Sequence, residues 1–188
     1  MMMNNRILIS PYNGLKFFYF EKLNATSSLE GFCCSVQEYN EYLTTDAVRS
    51  RKDHIALTWL LRDKEQKKIV SYMSLITDSI KISIAEKKFH SLNYPFKMIP
   101  SIKIAKLAVD EIFLGKYKGI GTYMIEFAES RTRFCDEIHA ACRFLTVDAD
   151  IEHNAKVLDF YKKNGFFVNE ELYNKNRKTI SMRKDIYY

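Results

Sequence analysis

Glycine and proline are scarce in this chain, with 6 glycines and 3 prolines among 188 residues. Numbers this low argue against flexible linkers between several domains, and the sequence shows no internal repeat or low-complexity segment. Its apolar stretches, such as residues 55–61 and 69–76, are far shorter than the roughly 20 residues that span a bilayer. Because a chain of this size supports one hydrophobic core, we expect residues 1–188 to form a single domain without a membrane span.

Signals for export and for disulfide bonding are also missing. Residues 1–10 contain one arginine and a short apolar patch, which is too little for a signal peptide. No two cysteines show the C-x-x-C spacing of a metal or redox site. The four cysteines are Cys33, Cys34, Cys135 and Cys142. We therefore expect a cytoplasmic protein with reduced cysteines and no bound metal.

The charge balance is basic, with 29 Lys and Arg against 23 Asp and Glu, a net charge of +6. The basic residues form small clusters spread along the chain, and an ordinary solvated surface explains most of them. The same balance suits a polyanionic partner such as nucleic acid. A nucleic-acid-binding protein without catalytic activity therefore stays open as an alternative.

Hydrophobic periodicity predicts a mixed α/β order. A helix is predicted over residues 35–49, followed by three short antiparallel strands and then by a strand that leads into a helix. The predicted strands cover residues 55–61, 69–76, 80–84, 102–109, 144–149 and 179–185, and the later helices residues 120–134 and 154–164.

Half of the glycines fall within residues 115–121, immediately before a predicted helix. Backbone N–H groups in such a loop, together with the helix N-terminus and the side chains of Lys116 and Lys118, suit a pyrophosphate. The dinucleotide fingerprint is excluded because Met124 stands where its third glycine belongs, and the P-loop spacing fails as well. A tight turn that needs glycine for steric reasons explains the loop equally well.

Two segments resemble motifs of the GNAT N-acetyltransferases. Residues 102–121, IKIAKLAVDEIFLGKYKGIG, resemble the coenzyme A motif, a strand ending in L-A-V followed by [RQ]-x-x-G-x-[GA] at the start of a helix. Residues 144–166 resemble the next strand and helix of the family, with Asn154 seven residues before Tyr161. Lys116 departs from the usual Arg or Gln. The resemblance is firm over residues 100–185, and the earlier part looks like the toxin branch, which acetylates aminoacyl-tRNA.

The resemblance implies a single GNAT-like domain with a mixed, mostly antiparallel sheet, a splayed parallel pair of central strands and flanking helices. It implies acetyl-CoA as cosubstrate, with the pantetheine arm between the splayed strands and the pyrophosphate at the glycine loop. The cofactor-binding residues that it implies are Leu107, Ala108, Val109, Lys116, Tyr117, Lys118, Gly119, Ile120, Gly121, Thr122 and Asn154.

Tyr161 matches the family tyrosine that protonates the departing thiolate. A phenol with a reference pKa of about 10 is protonated at neutral pH and can donate as charge grows on sulfur. Without the motif, a core aromatic residue beside Phe160 is the simpler interpretation. A non-catalytic module that binds coenzyme A or a nucleotide is therefore a second alternative.

The acceptor of the acetyl group is not defined by the sequence. Asp110, Asp148 and Asp150 are candidate general bases, and none of them is favoured. Deprotonating a lysine at pH 7 costs about 4 to 5 kcal/mol, whereas an α-amine costs only about 1 kcal/mol. An α-amine such as that of aminoacyl-tRNA is therefore the easier substrate, while a peptide or a small amine stays open, as does a homodimer.

Overall fold

The computed structural model describes residues 6–133, 141–169 and 178–188. The helices are α1 Gly14–Phe17, α2 Gln37–Glu41, α3 Ala47–Lys52, α4 Ile84–Phe89, α5 Glu111–Lys116, α6 Ile120–Arg133 and α7 Val157–Lys163. A π-helical turn, Tyr42–Asp46, connects α2 to α3. The strands are β1 Ile7–Leu8, β2 Phe18–Lys22, β3 Leu57–Asp63, β4 Ile69–Lys81, β5 Met98–Val109, β6 Tyr117–Lys118, β7 Phe144–Asp150, β8 Phe167–Val168 and β9 Thr179–Asp185.

Seven strands are hydrogen-bonded in the order β2-β3-β4-β5-β7-β9-β8, and β1 and β6 form a separate parallel pair. The β5–β7 pair is parallel, whereas β2–β3, β3–β4, β7–β9 and β8–β9 are antiparallel. This arrangement confirms the expected mixed, mostly antiparallel α/β fold. Two compact units share the chain: unit 1 comprises Met1–Leu75 and Lys106–Phe127, and unit 2 comprises Ile76–Ala105 and Ala128–Tyr188.

Unit 1 has helices packed on its strands. Leu43 and Ala47, both fully buried, belong to the helical segment 37–52 and lie in one core cluster with Tyr72 of β4 and Ala108 of β5. The ring of Phe127 in α6 stacks on that of Phe20 in β2, with 3.7 Å between the ring centroids. Burial of these apolar faces fixes the end of β5 and the start of α6, which carry most of the predicted cofactor residues.

Unit 2 contains the parallel strand pair. The hydrogen-bonded register of β5 and β7 extends from Ser101↔Phe144 to Ile104↔Val147. Phe144 is fully buried and packs with isoleucines of β4, β5 and the segment between β4 and α4. Beyond Ile104, β5 continues to Val109, and its last four residues belong to unit 1.

The separate strands predicted over residues 69–76 and 80–84 are wrong. One strand, β4, covers Ile69–Lys81, and the helix α4 follows it. Asp78 lies within this strand, where its carboxylate accepts a hydrogen bond of 3.0 Å from the Thr146 hydroxyl. Ser83 starts the helix with a capping box, which an apolar pattern alone does not reveal.

The other predicted elements are present, the strand over Thr179–Asp185 with the predicted ends and the rest with shifted ends. The helix predicted over residues 35–49 covers residues 37–52 and includes the π turn, and the helix predicted over residues 120–134 is described up to Arg133. Phe134 and Cys135 lie outside the described residues, within which Cys33, Cys34 and Cys142 form no disulfide. None of the described helices is long and apolar enough to cross a membrane.

Candidate functional site

The end of β5 directs alternate main-chain groups to opposite sides. The carbonyl oxygen of Ala108 accepts a hydrogen bond of 2.6 Å from the Ser71 hydroxyl of β4. The N–H of Asp110 donates to the Val70 oxygen of β4 at 2.9 Å. Because successive residues of a strand turn their N–H and C=O groups to opposite sides, Leu107 and Val109 direct theirs away from β4. Of the three residues predicted here, only Leu107 and Val109 offer main-chain groups on that side.

Asp110 serves as the cap of α5. Its side chain is buried and accepts hydrogen bonds of 2.9 Å from the main-chain N–H of Ile112 and of 2.9 Å from that of Cys33. Both carboxylate oxygens thus accept a main-chain hydrogen bond at the start of the helix. The segment that follows, Glu111–Lys116, is helical, and we assign Asp110 to capping rather than to proton transfer.

The predicted glycine loop is shorter than expected, since residues 117–119 alone separate α5 from α6. Gly119 has a φ of +85°, and a Cβ at this position would lie 2.5 Å from the main-chain oxygen of Ile9. Tyr117 is buried, and its ring lies edge-on to that of Phe18 at 5.1 Å. Both residues thus have structural roles, and the steric reason for a glycine applies at Gly119.

The start of α6 is electropositive. The Gly119 carbonyl accepts the first helical hydrogen bond, from the N–H of Tyr123 at 2.9 Å. The N–H groups of residues 120–122 therefore have no acceptor within the helix. No acidic residue lies in the first turn. Lys116 and Lys118 are exposed, and a hydrogen bond with the Tyr117 phenol raises the pKa of Lys116. The first turn and the two ammonium groups together favour an anion.

Tyr161 lies on α7 in unit 2 with 5% of its surface exposed. Its ring contacts those of Phe160 and Phe166 at centroid distances of 5.0 and 5.3 Å. Burial raises the pKa of the phenol, so Tyr161 stays protonated at neutral pH. Among the described residues its hydroxyl has no hydrogen-bond partner.

The other candidate residues of unit 2, Asn154, Asp148 and Asp150, each contact a neighbouring side chain or main-chain group. The side-chain oxygen of Asn154 accepts a hydrogen bond of 3.0 Å from the N–H of Lys156 and shapes the turn before α7. Of the candidate bases, Asp148 pairs with Lys103 at 3.1 Å, and Asp150 contacts Nδ1 of His153 at 2.7 Å. No group of three or more metal-ligating side chains occurs among residues 6–133, 141–169 and 178–188.

The sequence did not single out a basic and aromatic cluster in unit 1. The ammonium of Lys106 lies 4.5 Å from the ring centroid of Tyr39 and 5.9 Å from that of Tyr42. The available signal was a lysine inside the apolar strand before L-A-V and two tyrosines three residues apart on a predicted helix. Unit 1 therefore contains residues 107–109 and 116–122 together with this cluster, while Tyr161 and Asn154 belong to unit 2.

Comparison with known proteins gives a consistent picture of the fold. No protein-family model matches the chain, and neither does a curated protein. Among solved structures, AtaT complexed with acetyl-methionyl-tRNAfMet is 24% identical, with 87% of this chain and 93% of that chain covered and a TM-score of 0.69. AtaTR bound with acetyl-CoA is 24% identical, with 88% and 93% covered and a TM-score of 0.67.

A Tyr-to-Phe mutant of KacT is 19% identical, with 88% of this chain and 94% of that chain covered and a TM-score of 0.69. At these identities the likeness shows the fold. The chain has the fold of the AtaT and KacT structures, and the expected resemblance to the toxin branch is confirmed at that level.

Proposed function

We propose that the chain is an acetyl-CoA-dependent N-acetyltransferase and that its acceptor is the α-amine of an aminoacyl-tRNA. The observation that carries the proposal is the order of two features along unit 1, main-chain groups directed away from β4 at the end of β5 and then an electropositive helix start. Main-chain groups of Leu107 and Val109 face away from β4, and the electropositive start of α6 follows within the same unit. This is the order in which an extended thioester with a pyrophosphate at its far end needs to be held.

The first turn of α6 is proposed to bind the pyrophosphate of acetyl-CoA. Its N–H groups at Ile120, Gly121 and Thr122 have no earlier helical acceptor, and the charges of Lys116 and Lys118 add to the helix dipole. Tyr117 supports the loop through its buried ring rather than through contact with the cofactor. Asn154 remains a proposed contact, with its side-chain oxygen already used in the turn before α7.

The main chain of Leu107 and Val109 is proposed to pair with the pantetheine arm and to polarise the thioester carbonyl. An N–H group positioned at the oxygen where negative charge develops contributes about 3 to 4 kcal/mol to lowering the barrier. Acetyl-CoA supplies the activated acetyl group. Tyr161 is proposed to donate its phenolic proton to the sulfur as the thiol departs, for which a phenol that stays protonated at neutral pH is suited.

The choice of acceptor follows from the charges and from the missing base. Asp110 caps α5, Asp148 pairs with Lys103 and Asp150 contacts His153, so we assign none of the three candidate bases to proton transfer. An α-amine with a reference pKa of about 7.7 to 8.0 loses its proton at neutral pH at a cost of only about 1 kcal/mol. A net charge of +6 suits a polyanionic carrier of that amine. The AtaT structure complexed with acetyl-methionyl-tRNAfMet supports the same choice.

A transfer assay with labelled acetyl-CoA tests the proposal. Methionyl-tRNA, a lysine-containing peptide and a small primary amine are offered separately, with uncharged tRNA as the control. We expect label on methionyl-tRNA and none on uncharged tRNA. Binding of acetyl-CoA without transfer to any amine would instead favour the non-catalytic coenzyme A module. RNA binding with steep salt dependence and no coenzyme A binding would favour a nucleic-acid-binding protein.

A further inference from the structure

The Lys106 side chain is held by aromatic rings. Its ammonium lies over Tyr39 at 4.5 Å and near Tyr42 at 5.9 Å, and no carboxylate among the described residues pairs with it. A cation over an aromatic face is attracted by the ring without being neutralised. Within the described part of the chain, the charge of Lys106 is therefore held over the rings without a carboxylate partner.

A third tyrosine, Tyr72 in the core, contacts both Tyr39 and Tyr42. Tyr72 is fully buried, and its hydroxyl donates a hydrogen bond of 2.8 Å to the main-chain oxygen of Tyr39. The ring of Tyr42 is stacked on that of Tyr72 with centroids 6.2 Å apart. The π-helical turn Tyr42–Asp46 begins at this residue, and single π turns within helices are frequent at functional sites. The half-buried residues Tyr39 and Tyr42 are thus held in place by their contacts with the buried Tyr72.

The cluster lies close to the proposed reaction site along the strand. Lys106 immediately precedes Leu107 on β5, and Val109 is three residues further on. At about 3.3 Å per residue, the separation from Lys106 to Val109 along the strand is about 10 Å. A group bound at Lys106 would thus stand about two nucleotide lengths or less from the thioester.

We propose that Lys106, Tyr39 and Tyr42 receive the single-stranded nucleotide end of the acceptor, with a phosphate on Lys106 and a base on the tyrosines. The proposal rests on the proposed function and names the part of the substrate that this site recognises. An uncompensated ammonium binds a phosphodiester, and aromatic rings stack on unpaired bases. A peptide or a small amine offers neither group, so the cluster distinguishes an RNA-linked amine from a free one.

Lys106→Gln tests the site, with Lys22→Gln as its matched control. Lys22 also lies over an aromatic ring, that of Trp59 at 5.2 Å, so both variants remove one charge from a cation–aromatic pair. The substrates are methionyl-tRNA and methionine methyl ester, which carries the same α-amine without a nucleotide. We expect Lys106→Gln to lower kcat/KM for methionyl-tRNA about tenfold through KM and to reduce the salt slope by about one.

The same variant should leave the rate with the ester unchanged, Lys106→Arg should restore methionyl-tRNA activity, and Lys22→Gln should change KM less than about twofold. Tyr42→Leu should lower kcat/KM for methionyl-tRNA about 5- to 100-fold, the range for loss of one stacked base. Equal losses on both substrates, or equal losses for Lys22→Gln and Lys106→Gln, would overturn the inference.

A binding measurement separates this inference from the proposed function. A short single-stranded RNA ending in CCA is titrated without acetyl-CoA, and melting temperatures confirm that each variant is folded. Weaker binding by Lys106→Gln than by Lys22→Gln supports the nucleotide site even if no acetyl transfer is found. Wild-type and Lys106→Gln proteins that bind this RNA equally, or not at all, would refute the site even if the chain acetylates another amine.

Discussion

The main-chain oxygen of Ile9 occupies the space that a side chain at Gly119 would need. A Cβ on Gly119 would lie 2.5 Å from this oxygen, and Gly119 has a φ of +85°. The N–H of Ile9 in turn donates to the Lys118 oxygen at 2.8 Å. The glycine therefore allows the N-terminal segment to pair with β6, which is a structural reason independent of any ligand.

Gly119→Ala should lower the free energy of unfolding by at least about 1 to 2 kcal/mol, because alanine is strained at positive φ and its methyl group meets a backbone atom. Gly115→Ala is the matched control, since Gly115 lies in α5 with nothing within 4 Å of its Cβ position. The control should be neutral or stabilising by about 0.5 to 1 kcal/mol. Urea denaturation measures both, and equal stability of the two variants would contradict this explanation of Gly119.

The local sequence predicted the strand, loop and helix around Gly119 and offered a steric reason for the glycine, but not the contact that causes it. That reason is a contact with Ile9, more than a hundred residues away in the chain, which no local pattern encodes. The same limit explains β4, where Asp78 remains inside a strand because the Thr146 hydroxyl satisfies it. Helix α4 was not predicted, although Ser83 and Glu86 have the spacing of a capping box, because the apolar pattern of residues 80–84 favoured a strand.

The candidate site was predictable where a motif carried it. Leu107, Val109 and Tyr161 became candidates through the GNAT resemblance, while the direction of the main-chain groups at the end of β5 required the structure. The cluster at Lys106 was missed because a lysine within an apolar strand is ordinarily a solvated residue. Its tyrosine partners come from a helix more than sixty residues earlier.

Acetyl-CoA should stabilise the folded chain. At about 100 times Kd a ligand that binds only the folded state adds about 2.7 kcal/mol, which corresponds to a rise in Tm of about 5 to 11 °C for a chain of this size. The double variant Lys116→Gln and Lys118→Gln should weaken this stabilisation. The same double variant should leave binding of acetyl-pantetheine, which lacks the pyrophosphate, unchanged.

The control for these lysines is the double variant Lys64→Gln and Lys68→Gln, which removes two exposed positive charges from the segment between β3 and β4. Calorimetric titration with both ligands measures the four affinities. Similar losses of acetyl-CoA affinity in the two double variants would show a general charge effect, and loss of acetyl-pantetheine binding would place the lysines elsewhere than at the pyrophosphate.

The buried phenol of Tyr161 should make the chain sensitive to high pH. An unfolded tyrosine titrates near pH 10, and burial raises the pKa in the folded state, so above about pH 10 the folded state holds more protons than the unfolded state. The free energy of unfolding is therefore unaffected by this phenol below about pH 10 and falls as the pH rises towards the folded-state pKa. Tyr161→Phe should therefore lose less stability than the wild type on alkaline titration.

The control is Tyr12→Phe, because Tyr12 is 96% exposed. It should follow the wild type throughout the titration when unfolding by urea is measured at each pH. Identical alkaline slopes for Tyr161→Phe and the wild type would contradict the burial of the Tyr161 hydroxyl.

The rate of acetyl transfer by Tyr161→Phe under saturating acetyl-CoA tests the central claim most directly. The variant keeps the ring and its contacts with Phe160 and Phe166 and loses the donated proton. Tyr123→Phe is the matched control, because Tyr123 is likewise 5% exposed. We predict a fall in transfer to methionyl-tRNA of about 10²- to 10⁴-fold for Tyr161→Phe, with acetyl-CoA affinity retained, and little change for Tyr123→Phe. A folded Tyr161→Phe protein that acetylates at the wild-type rate would contradict the account.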